Sequence, residues 1–411
     1  MNPLLPDKCF IPDVEARVMP DGRLYLYGST DVSGRGDYCG HLHYCFSTDD
    51  MENWVEHGII FRNDKTFQGI PWSPESPLYA PDAIEKDGKY YLYVCGSKNE
   101  EGVAVGETPL GPFAPAEKIE LVDGDGIDPA VFVDDDGQGY LFWGQFSLRG
   151  AKLTDDMKAI IPETLTKDII TEWEHGFHEG ASIRKRNGKY YMVYTDISRG
   201  NATCMAYAMS DSPLGPYKRC GVIIDNTYCD PETWNNHGSI NEFKGQWYVF
   251  YHRSSQNKLT CRRVCAEPIF FDENGLIKEV QQTSQGPSKT IKASSVISAR
   301  RACRLMRSAY IELQGEKEVL VSTGKNHWGV KDFAEYKYLD FNLENQINVC
   351  VLGKGKITAV AEDNNVIATV EFDSSEYAYF ASTAKALQGI HPLWLFIEGE
   401  FTLSEFYFSK K

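Results

Sequence analysis

Three carboxylic acid residues occupy the same place in three similar segments of the chain. Each lies eight residues before the first residue of a tight turn, and the three are Asp13, Asp128 and Glu179. A single Asp at the start of a strand is ordinarily a turn or capping residue, because its side chain bonds readily to the local backbone. Three acids in one register are harder to explain in this way, since like charges that share a small site raise one another's pKa and reduce stability. The pattern therefore indicates acid–base chemistry.

Such a set of carboxyl groups suits the hydrolysis of a glycosidic bond. One group must be protonated to help the leaving group depart, while another must be ionised to activate water. A third negative charge near the acid raises its pKa and keeps it protonated. Other chemistries have no sequence signal here: the chain has no HExxH or Cys/His zinc spacing, no GxSxG elbow and no GxxxxGK[ST] loop.

A repeat predicts which elements position these acids. Five segments share a turn followed by an aromatic strand: DGRLYLYGS from Asp21, DGKYYLYVC from Asp87, DGQGYLFWG from Asp136, NGKYYMVYT from Asn187 and KGQWYVFYH from Lys244. Asp-Gly and Asn-Gly supply the positive φ of a hairpin turn, and the aromatic residues favour strands. The partner strands lie just upstream, in VEARVM, AIEK, AVFVDD, ASIRKR and SINEF. Five such units predict an all-β fold, a five-bladed β-propeller whose inner strands converge and bring the three acids to one funnel.

The pattern ends near Glu279, and the rest of the chain has a different character. We predict a catalytic propeller over residues 1–285, a polar linker over 286–300 and a smaller β-sandwich over 301–411, where short alternating strands follow one another closely. The last region is faintly similar to carbohydrate-binding modules. It carries no clear binding signature, which favours a packing role.

Composition and charge narrow the partners. The chain has 411 residues and a net charge of −16, which argues against nucleic acid because phosphate binding needs a cationic surface. No apolar run is long enough to cross a membrane, and no signal peptide is visible at the start. The eleven Cys are scattered, so we expect a cytoplasmic protein with reduced thiols, or a secreted or periplasmic one if a signal was removed. The oligomeric state is left open.

Around the three acids the sequence resembles glycoside hydrolase family 43. The matching segments cover residues 1–280 and are IPDVEARVMPDGRLYLYGSTD, LYAPDAIEKDGKYYLYV, GIDPAVFVDDDGQGYLFWG, HEGASIRKRNGKYYMVYTD and NNHGSINEFKGQWYVFYHR. The resemblance implies an inverting mechanism in which Asp13 is the general base, Glu179 is the general acid and Asp128 raises the pKa of Glu179 and orients it. The two catalytic carboxyl groups are then expected about 6.5–9.5 Å apart, with room for a water.

Five further residues are predicted at the site, and for His237, Arg262 and Asp31 the prediction comes from the same resemblance. His237 matches a histidine near the propeller axis that helps to hold Ca²⁺ or Na⁺ through water, and a buried structural histidine is an equal alternative. Arg262 matches an arginine that reaches the sugar, with Arg253 and Arg263 as nearby competitors. The other three predicted substrate-binding residues are Asp31, for sugar hydroxyls, and Trp72 and Trp234, for stacking. A buried core position is favoured at least as much for each Trp, because Trp is heavily buried on average.

The sequence thus favours an exo-acting glycosidase that needs no cofactor and removes terminal sugars from plant-type polysaccharides or oligosaccharides. α-L-Arabinofuranosidase is the first choice, β-xylosidase follows closely, and β-galactosidase or galactofuranosidase is an alternative on the same fold. A non-catalytic carbohydrate-binding propeller is an alternative of another class. It would have lost one of the acids, whereas this chain has all three.

Overall fold

The computed structural model describes residues 1–98, 100–122, 126–230, 233–306, 308–324 and 332–411. Five antiparallel sheets follow one another along its first part. The first strand of each sheet contacts the first strands of the neighbouring sheets, and the fifth returns to contact the first. The five sheets are therefore the blades of a closed propeller, as the repeat predicted.

The blades differ in their number of strands. Blade one contains β1 (Glu15–Val18), β2 (Leu24–Gly28), β3 (Leu42–Thr48), β4 (Trp54–Asp64) and β5 (Phe67–Gln68), and blade two contains β6 (Asp82–Lys86), β7 (Lys89–Cys95), β8 (Glu101–Gly106) and β9 (Glu117–Lys118). Blade three contains β10 (Ala130–Val133), β11 (Gly139–Trp143) and β12 (Arg149–Lys152). A 3₁₀ turn at Pro162–Thr164 and the short helix α1 (Glu172–His175) follow. Blade four contains β13 (Phe177–Arg186), β14 (Lys189–Asp196), β15 (Cys204–Ser210) and β16 (Lys218–Asp225), and blade five contains β17 (Ser239–Phe243), β18 (Gln246–Arg253) and β19 (Arg263–Ile269).

The five predicted hairpins are all present, and turn chemistry explains their register. In blade four, for example, Asn187 and Gly188 have φ of 49° and 75°, the left-handed pair that a two-residue hairpin turn requires. The turn aligns Arg186 with Lys189, and the pairing continues to Ser182 and Val193 before the register shifts next to Glu179. Counting back from the turn therefore locates the start of each inner strand, where the three acids lie.

The N-terminus closes the ring of blades. The Leu4 amide donates to Val264 O at 3.0 Å, and the Ala266 amide donates to Asn2 Oδ1 at 2.9 Å. The first residues therefore run beside β19 as an outer edge of blade five. Leu4 and Leu5 also join the apolar cluster between blades one and five. These contacts between the first residues of the chain and the last strand of blade five hold the first and last blades together.

The C-terminal region is a second all-β unit with its own core. Its strands are β20 (Ile291–Lys292), β21 (Ile297–Ser298), β22 (Arg304–Leu305), β23 (Ala309–Gln314), β24 (Lys317–Thr323), β25 (Asp332–Asn342), β26 (Gln346–Ala361), β27 (Asn365–Thr383) and β28 (Gln388–Ser409). The long β28 pairs with β21, β24, β25 and β26, so all nine strands are joined by hydrogen bonds. They enclose one continuous apolar cluster.

The segment 286–300, predicted as a linker, contains two short strands. Ile291–Lys292 pairs with β25 and Ile297–Ser298 pairs with β28, so two short stretches of the segment join the C-terminal sheet. The prediction relied on polar composition, but Ile291, Ala293 and Ile297 are buried in the C-terminal core. Alternating apolar residues are enough to hold a short edge strand.

Buried ion pairs join the two units. Arg263 of blade five and Arg300 each donate to Glu318 Oε2 of β24 at 3.0 Å. The Gln256 amide donates to Ile311 O of β23 at 2.7 Å. These contacts fix the C-terminal unit against blade five.

Two further features bear on the expectations from composition. All eleven cysteines lie in the described residues, and all are free thiols. Among the described residues, no helix has the length and apolar character needed to span a bilayer.

Candidate active site

The three acids meet in one cavity at the end of the propeller where the inner strands begin. Its volume is about 250 Å³. The residues that line it are Asp13, Tyr38, Cys39, Tyr79, Ala80, Ile127, Asp128, Gln145, Glu179, Asn235, His237 and Arg262. Asp13, Asp128 and Glu179 come from blades one, three and four, and all three are buried. The structure therefore brings the three acids together, as the count from the turns predicted.

The backbone bends sharply where the acids enter the cavity. Asp13 has φ of 55° and Asp128 has φ of 54°, a left-handed conformation that Asp tolerates better than most residues. Beside Glu179, the left-handed residue is Gly180, with φ of 66°. A Cβ on Gly180 would lie 2.8 Å from His237 Cγ, so glycine is required there. Non-glycine residues in this conformation cluster at functional sites.

Asp13 is surrounded by groups that stabilise its ionised form. Ser29 Oγ donates to Asp13 Oδ2 at 2.5 Å, and Arg262 Nη1 donates to Asp13 Oδ1 at 2.8 Å. Burial by itself raises the pKa of Asp13, but Arg262, His252, His237 and the Ser29 hydroxyl outweigh it and lower the pKa to about 2. Asp13 is therefore ionised at neutral pH, which a base requires.

Arg262 is held by Asp31. Its Nε donates to Asp31 Oδ2 at 2.8 Å and its Nη2 donates to Asp31 Oδ1 at 3.0 Å, a two-point pairing that fixes the guanidinium plane. The third nitrogen, Nη1, is then aimed at Asp13. Arg262 is buried and lines the cavity, so it orients the Asp13 carboxylate and also faces the space that a ligand would fill.

Glu179 lies in a different environment. Gln145 Nε2 donates to Glu179 Oε2 at 2.6 Å. Burial raises the pKa of Glu179 and the charge of Asp13 acts in the same direction, against the opposing effects of His178, Gln145 and His237. The net direction is upward, which favours the protonated form that an acid requires. The environments of Asp13 and Glu179 thus push their pKa values apart, the pattern expected of a base and an acid.

Asp128 is the third carboxyl group and interacts with both of the others. Burial raises its pKa well above the usual value, and the charges of Glu179 and Asp13 raise it further. His237 Nδ1 lies between two acids, 3.9 Å from Asp13 Oδ1 and 3.8 Å from Asp128 Oδ2. Because Asp128 and Glu179 interact strongly, a charge on either raises the pKa of the other and the pair holds a proton together.

Two predicted substrate-binding residues do not reach the cavity. The Asp31 carboxylate has no exposed area and both of its oxygens are bonded to Arg262, so it positions the arginine instead. Trp72 packs over Gly102 of β8, within the apolar cluster between blades one and two. Trp72 therefore has the core-packing role that was the alternative to sugar stacking.

The other predicted residues lie in blade five or in the segment that leads to it. Arg262 lines the cavity, whereas Arg253 is fully buried and donates to Ala302 O, and Arg263 pairs with Glu318. Trp234 is half-buried and contacts the ring of His178, next to Glu179. His237 lines the cavity. Of the three neighbouring arginines, only Arg262 thus faces the acids.

No group of three or more His, Cys, Asp and Glu side chains in the described residues is arranged to hold a metal ion. His237 Nδ1 faces two carboxylates at almost 4 Å. The Ca²⁺ or Na⁺ ion suggested near His237 therefore stays a prediction.

Several cavity residues were not predicted from the sequence. They are Tyr38, Cys39, Tyr79, Ala80, Ile127, Gln145 and Asn235. One signal finds one of them: Tyr79 lies eight residues before Asp87, the first residue of the second turn, in the same register as the three acids. Loop residues such as Tyr38 and Asn235 follow no such register.

A propeller whose axial cavity holds an ionised carboxylate, a carboxyl group of raised pKa and a third acid has the groups that glycoside hydrolysis requires. The sequence profile described as Glycosyl hydrolases family 43 matches residues 2–277, and the chain belongs to this family. It is therefore an inverting glycoside hydrolase that acts on O-glycosyl bonds.

Relatives of known name agree with this assignment. A xylosidase/arabinosidase of Thermoclostridium stercorarium is 30% identical, over 97% of this chain and 96% of that protein. A crystal structure of a β-xylosidase/α-arabinofuranosidase from a compost microbial metagenome, in complex with xylotriose, is 30% identical with a TM-score of 0.58, and the match covers 68% of this chain and 97% of that chain. An arabinoxylan arabinofuranohydrolase from Bacillus subtilis, bound to cellotetraose, is 22% identical and similar in fold over 100% of this chain and 97% of that chain, with a TM-score of 0.59.

Proposed function

We propose that this protein is an exo-glycosidase that removes terminal α-L-arabinofuranosyl or β-D-xylosyl residues from plant-type oligosaccharides or polysaccharides. The observation that carries the proposal is the single cavity in which Asp13 has a lowered pKa and Glu179 a raised one. The sugar is suggested by relatives named xylosidase/arabinosidase, arabinoxylan arabinofuranohydrolase and β-xylosidase.

The proposed reaction uses the acids in one concerted displacement. Asp13 accepts a proton from a water molecule, whose oxygen bonds to the anomeric carbon from one side of the sugar ring. The bond from that carbon to the leaving oxygen breaks on the other side, and Glu179 donates its proton to this oxygen. Asp13 ends protonated and Glu179 ionised, so one proton returns through solvent before the next turnover. The anomeric configuration is inverted.

The size of the cavity supports exo action. A volume of about 250 Å³ is below the range of about 300–1,000 Å³ that is usual for drug-sized ligands, and it suits one sugar ring. Tyr79 and Ala80 follow the long segment Asp64–Pro77, which leads from blade one towards blade two, and they line one wall. Asn235, from the segment Tyr228–Asn236 between blades four and five, lines another. Residues 231 and 232 of that segment lie outside the described residues.

The sugar specificity is tested with a panel of aryl glycosides. We expect the wild type to hydrolyse the α-L-arabinofuranoside, the β-D-xyloside or both, because its relatives carry those names. Release from only the β-D-galactofuranoside or β-D-galactopyranoside would support the galactosidase alternative instead; one relative is named a β-D-galactofuranosidase. Binding of xylotriose with no hydrolysis of any substrate would favour the non-catalytic sugar-binding propeller.

The pH profile tests the role of Asp128. The acid works only when protonated, so activity is present below the raised pKa of the Asp128–Glu179 pair and is lost as pH rises through it. Asp128→Asn removes a negative charge beside Glu179 and lowers the pKa of that group. We therefore expect the alkaline limb of kcat/KM against pH to move to lower pH in this variant. An alkaline limb that stays in place, or moves to higher pH, would show that Asp128 does not keep the acid protonated.

A further inference from the structure

A buried histidine of blade five, His252 of β18, lies directly behind the proposed base. It does not line the cavity, yet its Nδ1 lies 3.6 Å from Asp13 Oδ1 and accepts a hydrogen bond from the Asp13 amide at 3.3 Å. The backbone of His252 is held by its own blade, since it pairs with Val264 of β19 and its carbonyl accepts from Asn226 Nδ2 at 2.9 Å. The imidazole is therefore a fixed group that contacts Asp13 from the protein side.

The hydrogen bond from the Asp13 amide defines the protonation state of this imidazole. Nδ1 accepts a proton, so its lone pair is free and the ring proton is on Nε2. Burial and the charge of Arg262 lower the pKa of His252 well below its usual value, although the charge of Asp13 acts in the opposite direction. At neutral pH the ring is therefore neutral and offers Asp13 an acceptor.

The backbone of Asp13 needs such an acceptor. Its φ of 55° is left-handed, a conformation that is unfavourable for a residue with a side chain. The residue is buried, and a buried amide that lacks an acceptor destabilises the conformation that contains it. The carboxylate is held separately, by Ser29 and Arg262. Asp13 is thus fixed at its backbone by His252 and at its carboxylate by two other side chains.

The direction of a general base decides how well it works. The base must lie within hydrogen-bond reach of the water, and a misplacement of about 1 Å can lower the rate about a hundredfold. We propose that His252 is a positioning residue for the base: its neutral ring accepts from the Asp13 amide and holds the left-handed backbone that aims the carboxylate at the attacking water. This inference rests on the proposed role of Asp13 as the base, and adds a residue that acts through Asp13 alone.

Three substitutions of His252 separate its acceptor from the bulk of its ring. Asparagine carries its amide oxygen on Cγ, where histidine carries Nδ1, so His252→Asn can still accept from the Asp13 amide. His252→Gln places its polar atoms one bond further away, and His252→Leu has none. With an aryl glycoside, we expect His252→Leu and His252→Gln to lower kcat about a hundredfold at an unchanged KM, because the cavity wall is intact. His252→Asn should restore most of the loss, and equal kcat values in the Asn and Gln variants would overturn the proposal.

Ser239→Ala is the matched control for loss of a buried acceptor. Ser239 Oγ accepts from the Ala16 amide at 3.0 Å, so this change also removes a hydrogen bond from blade one to blade five, three residues along the chain from Asp13. We expect Ser239→Ala to lower the Tm as His252→Leu does and to keep the kcat of the wild type. An equal fall of kcat in the two variants would mean that His252 only supports the fold, which overturns the positioning role.

A double-mutant cycle with Asp13→Asn tests whether His252 acts through the base. In the Asp13→Asn background, His252→Leu should cause no further loss of kcat, because no base is left to position. A further hundredfold loss there, or a wild-type kcat in His252→Leu alone, would overturn the proposal. If His252→Leu does not fold, His252→Gln takes its place in the cycle. Normal turnover by Asp13→Asn itself would instead overturn the assignment of the base on which the inference rests.

Discussion

Asp13→Asn is expected to lower kcat/KM about a thousandfold on every substrate that the wild type hydrolyses. The asparagine amide cannot accept the proton of the attacking water, and activation of water is needed whatever the leaving group. The loss corresponds to about 4 kcal/mol in the activation free energy. Steady-state kinetics with an aryl glycoside and with an oligosaccharide would measure it, and the two ratios of wild type to variant should agree.

The fold should survive this change, because Asn has the size of Asp and Arg262 keeps its two-point pairing with Asp31. Asp136→Asn is the matched control: it makes the same substitution in an exposed turn where blade four already has Asn187. The control should have wild-type activity and the same Tm. Near-normal turnover by the Asp13 variant, at an unchanged Tm, would rule out Asp13 as the base.

Glu179→Gln is expected to have an effect that depends on the leaving group. For an oligosaccharide, whose leaving alkoxide needs a proton, kcat/KM should fall about a thousandfold. For a 2,4-dinitrophenyl glycoside, whose phenolate leaves without protonation, the loss should be below about tenfold, because the base and the binding site are intact. The ratio of the two losses measures the share of catalysis that protonation supplies.

Glu163→Gln makes the same change at an exposed position of the 3₁₀ turn and should leave both rates unaltered. The contact of Gln145 with residue 179 gives a second reason for the Gln variant, since Gln can keep a hydrogen bond there through its carbonyl oxygen. Equal losses on both substrates would contradict the assignment of Glu179 as the acid and would point to a positioning role.

The blades and the three acids could be predicted because hairpin turns transmit register. A turn such as Asn187-Gly188 fixes which residues pair next to it, so counting back from each turn leads to the start of the inner strand. The inner strands in turn share one axis, which brings Asp13, Asp128 and Glu179 together. Local sequence and the geometry of hairpins were therefore sufficient to predict the blades and the meeting of the three acids.

Side-chain direction outside the inner strands could not be predicted. Trp72 and Trp234 are both large aromatics near variable loops, yet one packs over Gly102 and the other contacts His178. The choice depends on long-range packing that no local pattern encodes. The same holds for Asp31, whose carboxylate is occupied by an arginine more than 200 positions away in the chain.

The most direct test of the account is chemical rescue of a variant that lacks the base. Asp13→Gly removes the carboxylate, and glycine accepts the φ of 55° found there without strain. With azide and a 2,4-dinitrophenyl glycoside, we predict that the rate recovers with azide concentration and that the product is a glycosyl azide of inverted configuration. Azide would then occupy the position of the water that Asp13 activates. Failure of azide to restore the Asp13→Gly rate, together with azide-dependent recovery and a glycosyl azide product from Glu179→Gly, would contradict the assignment of the two roles.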